Sequence, residues 1–495
     1  MRPKIVHDAS RARHAPPREA PPEASALEAS TAWLGAATPG RDLVRFGVAI
    51  FVASTFSAVQ MFVIPRRLDV ATYGHYRLFL MYVGYAGLLH FGLADGAFLR
   101  WAGRQPGIIA REWRQIGRWL LAVQGVVLLV ALVTTLATAD PFARVALIAL
   151  ASTTLFVNLA SLASYALQGA GNFRDAGRVA MLANGLFVAF VVVVPTHTLT
   201  VVLTAYVASC AVSALYGAIC VARVAHEHAG ENSSPDQPVL GVLIRTGLPV
   251  LGANFAAGLS QSVDRLLVSF ATPITSFALY GFAATVSVAG SSATQALSRV
   301  ALSHAARRPA IERARFLGGF FDIIASAFGA GLALEPPFER LVAVSLPAYV
   351  GALPILRALV VGMPFWVATH VVLVGTLQSY GAVRRQLLLE LFGVAFVVTG
   401  CSVCLGTHQP LWVVAGAATA AAITTFGVGV RIVRRAVRAS EQHSARFAVV
   451  TAMQGGALLV ALASTQSWML QSLAYAALAL VPTGFALRRA RVQEW

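Results

Sequence analysis

The sequence predicts an all-α integral membrane protein of about fourteen spanning helices, two six-helix bundles plus a C-terminal pair, with both ends in the cytosol. Three observations predict it. Of 495 residues, 57% are hydrophobic and only 12% charged, about half the charged load of a soluble domain. Apolar runs recur almost end to end, each near the roughly 20 residues that a spanning helix needs. The basic residues fall between those runs in an alternating pattern, as the positive-inside rule requires.

The elements follow in order. Residues 1–42 contain Pro16-Pro17 and Pro21-Pro22, much alanine and mixed charge. No apolar core is followed by a small-residue cleavage site, so the segment is expected to be a disordered cytosolic tail without a signal peptide. Spans are read at 43–64, 78–99, 119–139, 145–167, 179–195, 199–222, 243–271, 275–298, 316–334, 352–378, 387–406, 411–430, 447–464 and 470–487. With the N-terminus inside, 31 of the 38 Lys and Arg residues fall on the cytosolic side and 7 on the other. A false span would reverse the alternation downstream of it.

Outer loops are expected to be short, marked by Asp140-Pro141, Thr196-His197 and His408-Gln409-Pro410. The longest is read from Glu335 to Gly351. The resulting organisation is a six-helix lobe at 43–222, a cytosolic linker at 223–242 and a second lobe at 243–430. A basic loop at 431–446 follows, then the last two helices and a basic tail at 447–495. Weak internal similarity at an offset of about 200 supports parallel repeats. Arg45-Phe46-Gly47 matches Arg245-Thr246-Gly247, and Tyr73-Gly74 matches Tyr280-Gly281.

The net charge of +17 does not imply nucleic acid, because the cations are neither gathered on one face nor interleaved with aromatics. Cys401 and Cys404 form a CxxC near a helix end. They lack the strand-to-helix turn and basic neighbours of a redox motif, so all four cysteines read as packing residues. No nucleotide-binding Gly-rich loop, HExxH or nucleophile elbow is present, so neither an enzyme nor a cofactor is expected. His370 reads first as a hydrogen-bonded structural histidine inside a span.

Ionisable groups inside the spans carry more information, because each costs several kcal/mol unless it has a partner. Asp95, Arg100, Asp264 with Arg265, Arg299, Asp322 and Glu390 stand out, with Asn254 and Gln261 among the uncharged polar groups. Arg45, Arg100 and Arg299 lie near the cytosolic headgroups, where interfacial snorkelling is the plain reading. Asp264 and Arg265 lie deeper, with Gln261 just before them, and point to a functional cavity.

These residues also carry a resemblance. Arg45-Phe46-Gly47, Pro65 through Tyr76, and Phe91-Gly92-Leu93-Ala94-Asp95-Gly96 through Arg100 resemble the start of polysaccharide-transport flippases. These belong to the multidrug/oligosaccharidyl-lipid/polysaccharide exporter superfamily. Gly247-Leu248-Pro249, Asp264-Arg265 and Tyr280 resemble its second half. His75 and Asp69-Val70-Ala71 depart from the commoner wording of the loop. The resemblance implies alternating access in a bacterial inner membrane, moving an undecaprenyl-pyrophosphate-linked oligosaccharide outward. Membrane lipid, a glycan polymerase and other polysaccharide-assembly proteins are the implied partners. It makes Arg45, Arg100, Asn254, Gln261, Arg265 and Arg299 candidate substrate contacts. Asp95 and Asp264 become candidates for structural pairing or cation coupling. Two rivals stay open: a multidrug antiporter of the same superfamily, and a membrane glycan polymerase or ligase. Against the first, helix 1 lacks a carboxylate and the expected cavity charge is mostly basic. Against the second, the outer loop is thin for an active site.

Overall fold

The computed structural model describes residues 59–101, 104–194, 197–228, 239–289, 310–379, 382–436, 441–464 and 467–479, with three residues between 52 and 56. Every element among them is helical. Nine helices are long and apolar enough to cross a membrane, and two bent pairs raise this to eleven. The expected spans at 43–64, 275–298 and 470–487 lie partly outside the described residues. This is the all-α, multi-pass membrane architecture that the composition predicts.

The chain begins with α1 (59–67) and α2 (Val70–Val83). Asp69 caps α2, accepting from the N–H groups of Ala71 and Thr72 at 3.0 Å. The Thr72 hydroxyl and those N–H groups hold its carboxyl below the usual range. The stretch read as an outer loop is therefore the start of a helix, and a charged cap was mistaken for a connector. After a 3-10 turn at Ala86–His90 the chain bends by 63° into α3 (Leu93–Trp101). Phe91 and Gly92 make the bend with φ of 49° and 76°, a region that glycine enters without steric cost.

Four long helices complete the first half: α4 (Pro106–Ala137), α5 (Pro141–Gly169), α6 (Phe173–Val193) and α7 (Leu199–Glu227). Pro106 starts α4, where its missing N–H costs nothing. Asn172 caps α6 by accepting from the Asp175 N–H at 3.2 Å.

The second half departs from expectation at its entry. The span read at 243–271 is two helices, α8 (Leu240–Ser260) and α9 (Val263–Ala271). The hydroxyls of Ser260 and Ser262 turn back to the carbonyls of Ala257 and Gly258, at 2.8 and 2.7 Å. Such local bonds compete with the helical ladder, and the ladder stops there. Next come α10 (Ile274–Ala289), α11 (Ala310–Leu332) and α12 (Glu335–Ser345). The long outer loop is thus mostly helix, α12 followed by a 3-10 turn at Pro347–Ala352.

Helix α13 (Leu353–Ala368) carries Pro364 internally and runs into a π turn at Thr369–Val374, then α14 (Gly375–Ser379). The remaining helices are α15 (Val383–Gly406), α16 (Leu411–Ala436), α17 (Glu441–Ser464) and α18 (468–479). Phe321, Phe365, Phe426 and Phe447 pack ring on ring with centroids 5.3–6.0 Å apart, fixing α17 against the second half. Each such pair contributes about 0.5–1.5 kcal/mol beyond its buried area.

The halves meet at both ends of the molecule. At the arginine-rich end, Gly92 and Gly96 abut Leu243 and Gly247 of α8 so closely that no methyl group fits on Gly96 or Gly247. At the other end Gly74 lies against Ile274 and Ala278. There Tyr73 meets Tyr349 edge to face at 5.3 Å, and Phe62 meets Phe338 at 5.7 Å.

Candidate functional site

A cavity of about 110 Å³ lies at the break between α8 and α9 in the second half. Ser260, Gln261 and Asp264 line it at the break, and Trp366, Thr369 and His370 line it from the end of α13 and the π turn. Glu390 enters from α15, and Thr419 and Thr425 from α16. Most of the remaining lining is apolar.

Three ionisable groups therefore share one cavity. Asp264, in the first turn of α9, accepts from the buried Tyr280 hydroxyl at 2.7 Å. His370 Nδ1 lies 2.9 Å from the Trp366 carbonyl, and the two rings stack at 4.2 Å. The other ring nitrogen, Nε2, lies 3.2 and 3.3 Å from the two Glu390 oxygens. Ser260 Oγ approaches Glu390 Oε2 at 3.2 Å. Glu390 is 1% exposed, so protein encloses it almost entirely. Among the described residues no three His, Cys, Asp or Glu side chains gather as metal ligands would.

The sequence-predicted residues distribute unevenly over this geometry. Gln261 and Asp264 line the cavity; Asn254 is exposed on α8. The Arg265 guanidinium donates to the Gln261 carbonyl and lies 3.9 Å from Asp264 Oδ1, beside the cavity and not among its lining. Arg100 is engaged elsewhere, donating to both oxygens of Glu112 at 2.8–3.1 Å. Trp101 donates to the same carboxylate at 3.0 Å, and Arg104 stands 3.6 Å away. Asp95 is buried with His90 Nε2 at 3.8 Å. Arg45 and Arg299 lie outside the described residues.

Among the described residues, the lining of this cavity holds two carboxylates and an imidazole, and no arginine. His370 is a hydrogen-bonded histidine, as expected, with the Trp366 carbonyl and Glu390 as its partners. Glu112, which fixes Arg100, and the His370–Glu390 pairing were not foreseen. A signal for the pairing existed, since the two stand 20 residues apart, 9 and 7 residues from the facing ends of α14 and α15. A constant rise of 1.5 Å per residue places such positions at similar depth.

Among the described residues, a first-half side chain comes close to this site. The Tyr85 hydroxyl, just before the bend into α3, lies 2.7 Å from Ser262 Oγ. Its ring meets Phe255 edge to face at 6.1 Å.

This arrangement of bent and broken helices is shared with solved structures of membrane transporters. The lipid II flippase MurJ in an inward closed conformation is similar to 90% of this chain over 99% of its own, with a TM-score of 0.67 and 12% identity. An outward-facing multidrug resistance MATE family transporter covers 83% of the chain and 99% of its own, with a TM-score of 0.59 and 15% identity. A MOP superfamily transporter from Pyrococcus furiosus, described as having a binding pocket of reversed polarity, gives 0.56 at 14% identity, over 83% of this chain and 98% of its own. At these identities the likeness is one of fold. No protein-family model matches the sequence, and no match was found among curated proteins.

Proposed function

We propose that this chain is a flippase that moves a lipid-linked oligosaccharide, on an undecaprenyl-pyrophosphate carrier, from the cytosolic to the outer leaflet of a bacterial inner membrane. Two six-helix lobes, 43–222 and 243–430, would open alternately to the two sides, with a glycan polymerase and other assembly proteins as partners. The observation that carries the reading is the extent of the fold. Similarity to a lipid flippase runs through 90% of the chain, against 83% for the multidrug transporters. Helices α17 and α18 add an apolar flank beside the second half, suited to a cargo whose tail stays in lipid. Arg265, at the rim of the cavity, supplies a rigid guanidinium fork for a pyrophosphate head.

One observation favours a second reading, a multidrug antiporter. A largely apolar cavity with Asp264 and Glu390 in its wall also suits an organic cation. Complementation of a deletion strain separates the two. Wild-type protein is expected to restore surface glycan and leave drug susceptibility unchanged, Arg265→Ala to abolish export, and Arg265→Lys to restore it in part. Restored drug resistance without surface glycan would favour the antiporter.

A further inference from the structure

We propose that His370 and Glu390 together form a proton-binding site, and that its occupancy drives the opening and closing of the transporter. The proposal rests on the transporter reading above, without depending on the cargo.

Hydrogen-bond geometry alone requires a proton between the two side chains. The Trp366 carbonyl only accepts, so the His370 nitrogen facing it at 2.9 Å, Nδ1, carries a hydrogen. A neutral ring then presents a bare lone pair from Nε2, which lies 3.2 and 3.3 Å from the Glu390 oxygens. Carboxylate oxygens also present lone pairs, and two such groups do not hold together in a buried site. One added proton, on Nε2 or on the carboxyl, turns the contact into a hydrogen bond. Either arrangement is neutral overall. Losing that proton leaves a net charge of about −1 in the bilayer interior, which costs several kcal/mol.

The surroundings favour a proton over a metal ion. The nearest further acid lining the cavity, Asp264, is occupied by the Tyr280 hydroxyl at 2.7 Å. Arg265 on the same helix turns to the Gln261 carbonyl. From α8 the cavity receives Ser260 and Gln261, while Arg245 stands exposed near that helix's other end. From α16 it receives Thr419 and Thr425; Arg431 is exposed near the cytosolic end. On α15, Arg384 and Arg385 are exposed. On α11, Asp322 stands 4.0 Å from Arg446 of α17, and on α13 Arg357 is bonded to Glu339. No described cation from these elements lines the cavity to balance an unprotonated Glu390.

The backbone supplies a second, independent sign. His370 sits in the π turn at Thr369–Val374, a geometry found mostly as single turns inside α-helices and frequently at functional sites. When the cavity is shut, the neutral, proton-bound pair is the stable form. When the cavity opens to water, hydration stabilises the separated charge and the proton leaves. Proton binding and closure are therefore linked, each favouring the other.

The test uses the full chain in lipid nanodiscs, with its four cysteines replaced and spin labels at Thr198 and Val344, both exposed and on opposite halves. The label distance distribution is measured from about pH 5.5 to about pH 8.5, the range in which imidazole sites ordinarily titrate. Wild type is expected to shift with pH and to ignore sodium at fixed pH. Glu390→Gln, which mimics the neutral carboxyl, should show the low-pH distribution at every pH; His370→Gln should also lose the response. Overturning results are a wild-type distribution that ignores pH, a shift driven by sodium, or a pH response surviving in both variants. Monodisperse elution and unchanged melting guard against a misfolded variant. A normal pH response in a protein that fails to restore surface glycan would sink the flippase reading and leave the proton site standing.

Discussion

Each half of the molecule buries a histidine beside a carboxylate, and the two pairs differ in where the imidazole hydrogen must lie. In the first half His90 Nδ1 accepts from the Gly92 N–H at 3.2 Å. Its hydrogen is therefore on Nε2 and faces Asp95, though at 3.8 Å the two make no hydrogen bond. In the second half the tautomer is reversed, because His370 Nδ1 donates to a carbonyl. Similar residue types thus stand loosely side by side in one half and make close, proton-requiring contact in the other. The hydrogen-bond partner of the second ring nitrogen decides the role of a buried histidine.

The same contrast holds for the arginine–carboxylate contacts. Glu112 in the first half is saturated by Arg100, Arg104 and Trp101. Glu390 in the second half meets an imidazole and a serine hydroxyl that also bonds to Ala257. The largest expected effect follows directly. Glu112→Gln should strip partners from two arginines and a buried indole, destabilising the protein by about 3–5 kcal/mol. Thermal-shift chromatography should show most of the folded material lost. Glu390→Gln, by contrast, should elute normally, and equal losses in the two variants would erase the distinction between the halves.

Gly96→Ala is next in size. Its new methyl would press on the Leu243 carbonyl where the halves touch, with an overpacking cost of about 1–3 kcal/mol. Melting should fall, and labels at the arginine-rich end of α3 and α8 should move apart. Asp69→Ala should cost about 0.5–2 kcal/mol, the usual loss for a helix N-cap, read by thermal unfolding with transport preserved. Smallest is Asp95→Asn, expected within about 1 kcal/mol of wild type, since no hydrogen bond to that carboxylate reaches ordinary length. It should leave any pH response of the label distances intact. A pH response lost in Asp95→Asn and kept in Glu390→Gln would move the proton site to the first half.

Much of the fold was legible because bilayer burial acts on composition. Apolar run length and the sorting of arginines depend on residue type alone, so the spans and the all-α class could be read directly. Breaks within spans were not legible in that way. The α8–α9 interruption depends on two serine hydroxyls choosing backbone carbonyls, and the α2–α3 bend on Phe91 and Gly92 taking positive φ. Neither changes the apolar character of its segment. At the candidate site, Asp264 and Gln261 were found because buried polar groups are costly wherever they occur. Which carboxylate meets which partner depends on helix neighbours far apart in sequence. That is why the roles of Glu112 and Glu390 as partners are not legible in the sequence.

The most direct measurement is transport of a fluorescent lipid-linked oligosaccharide across proteoliposomes under an imposed proton gradient. Wild type and Asp95→Asn should move cargo at rates that rise with the gradient. Glu390→Gln and Arg265→Ala should hold folded protein in the membrane and move none. Gradient-dependent transport by Glu390→Gln at the wild-type rate would contradict the assignment of the working site to the second half.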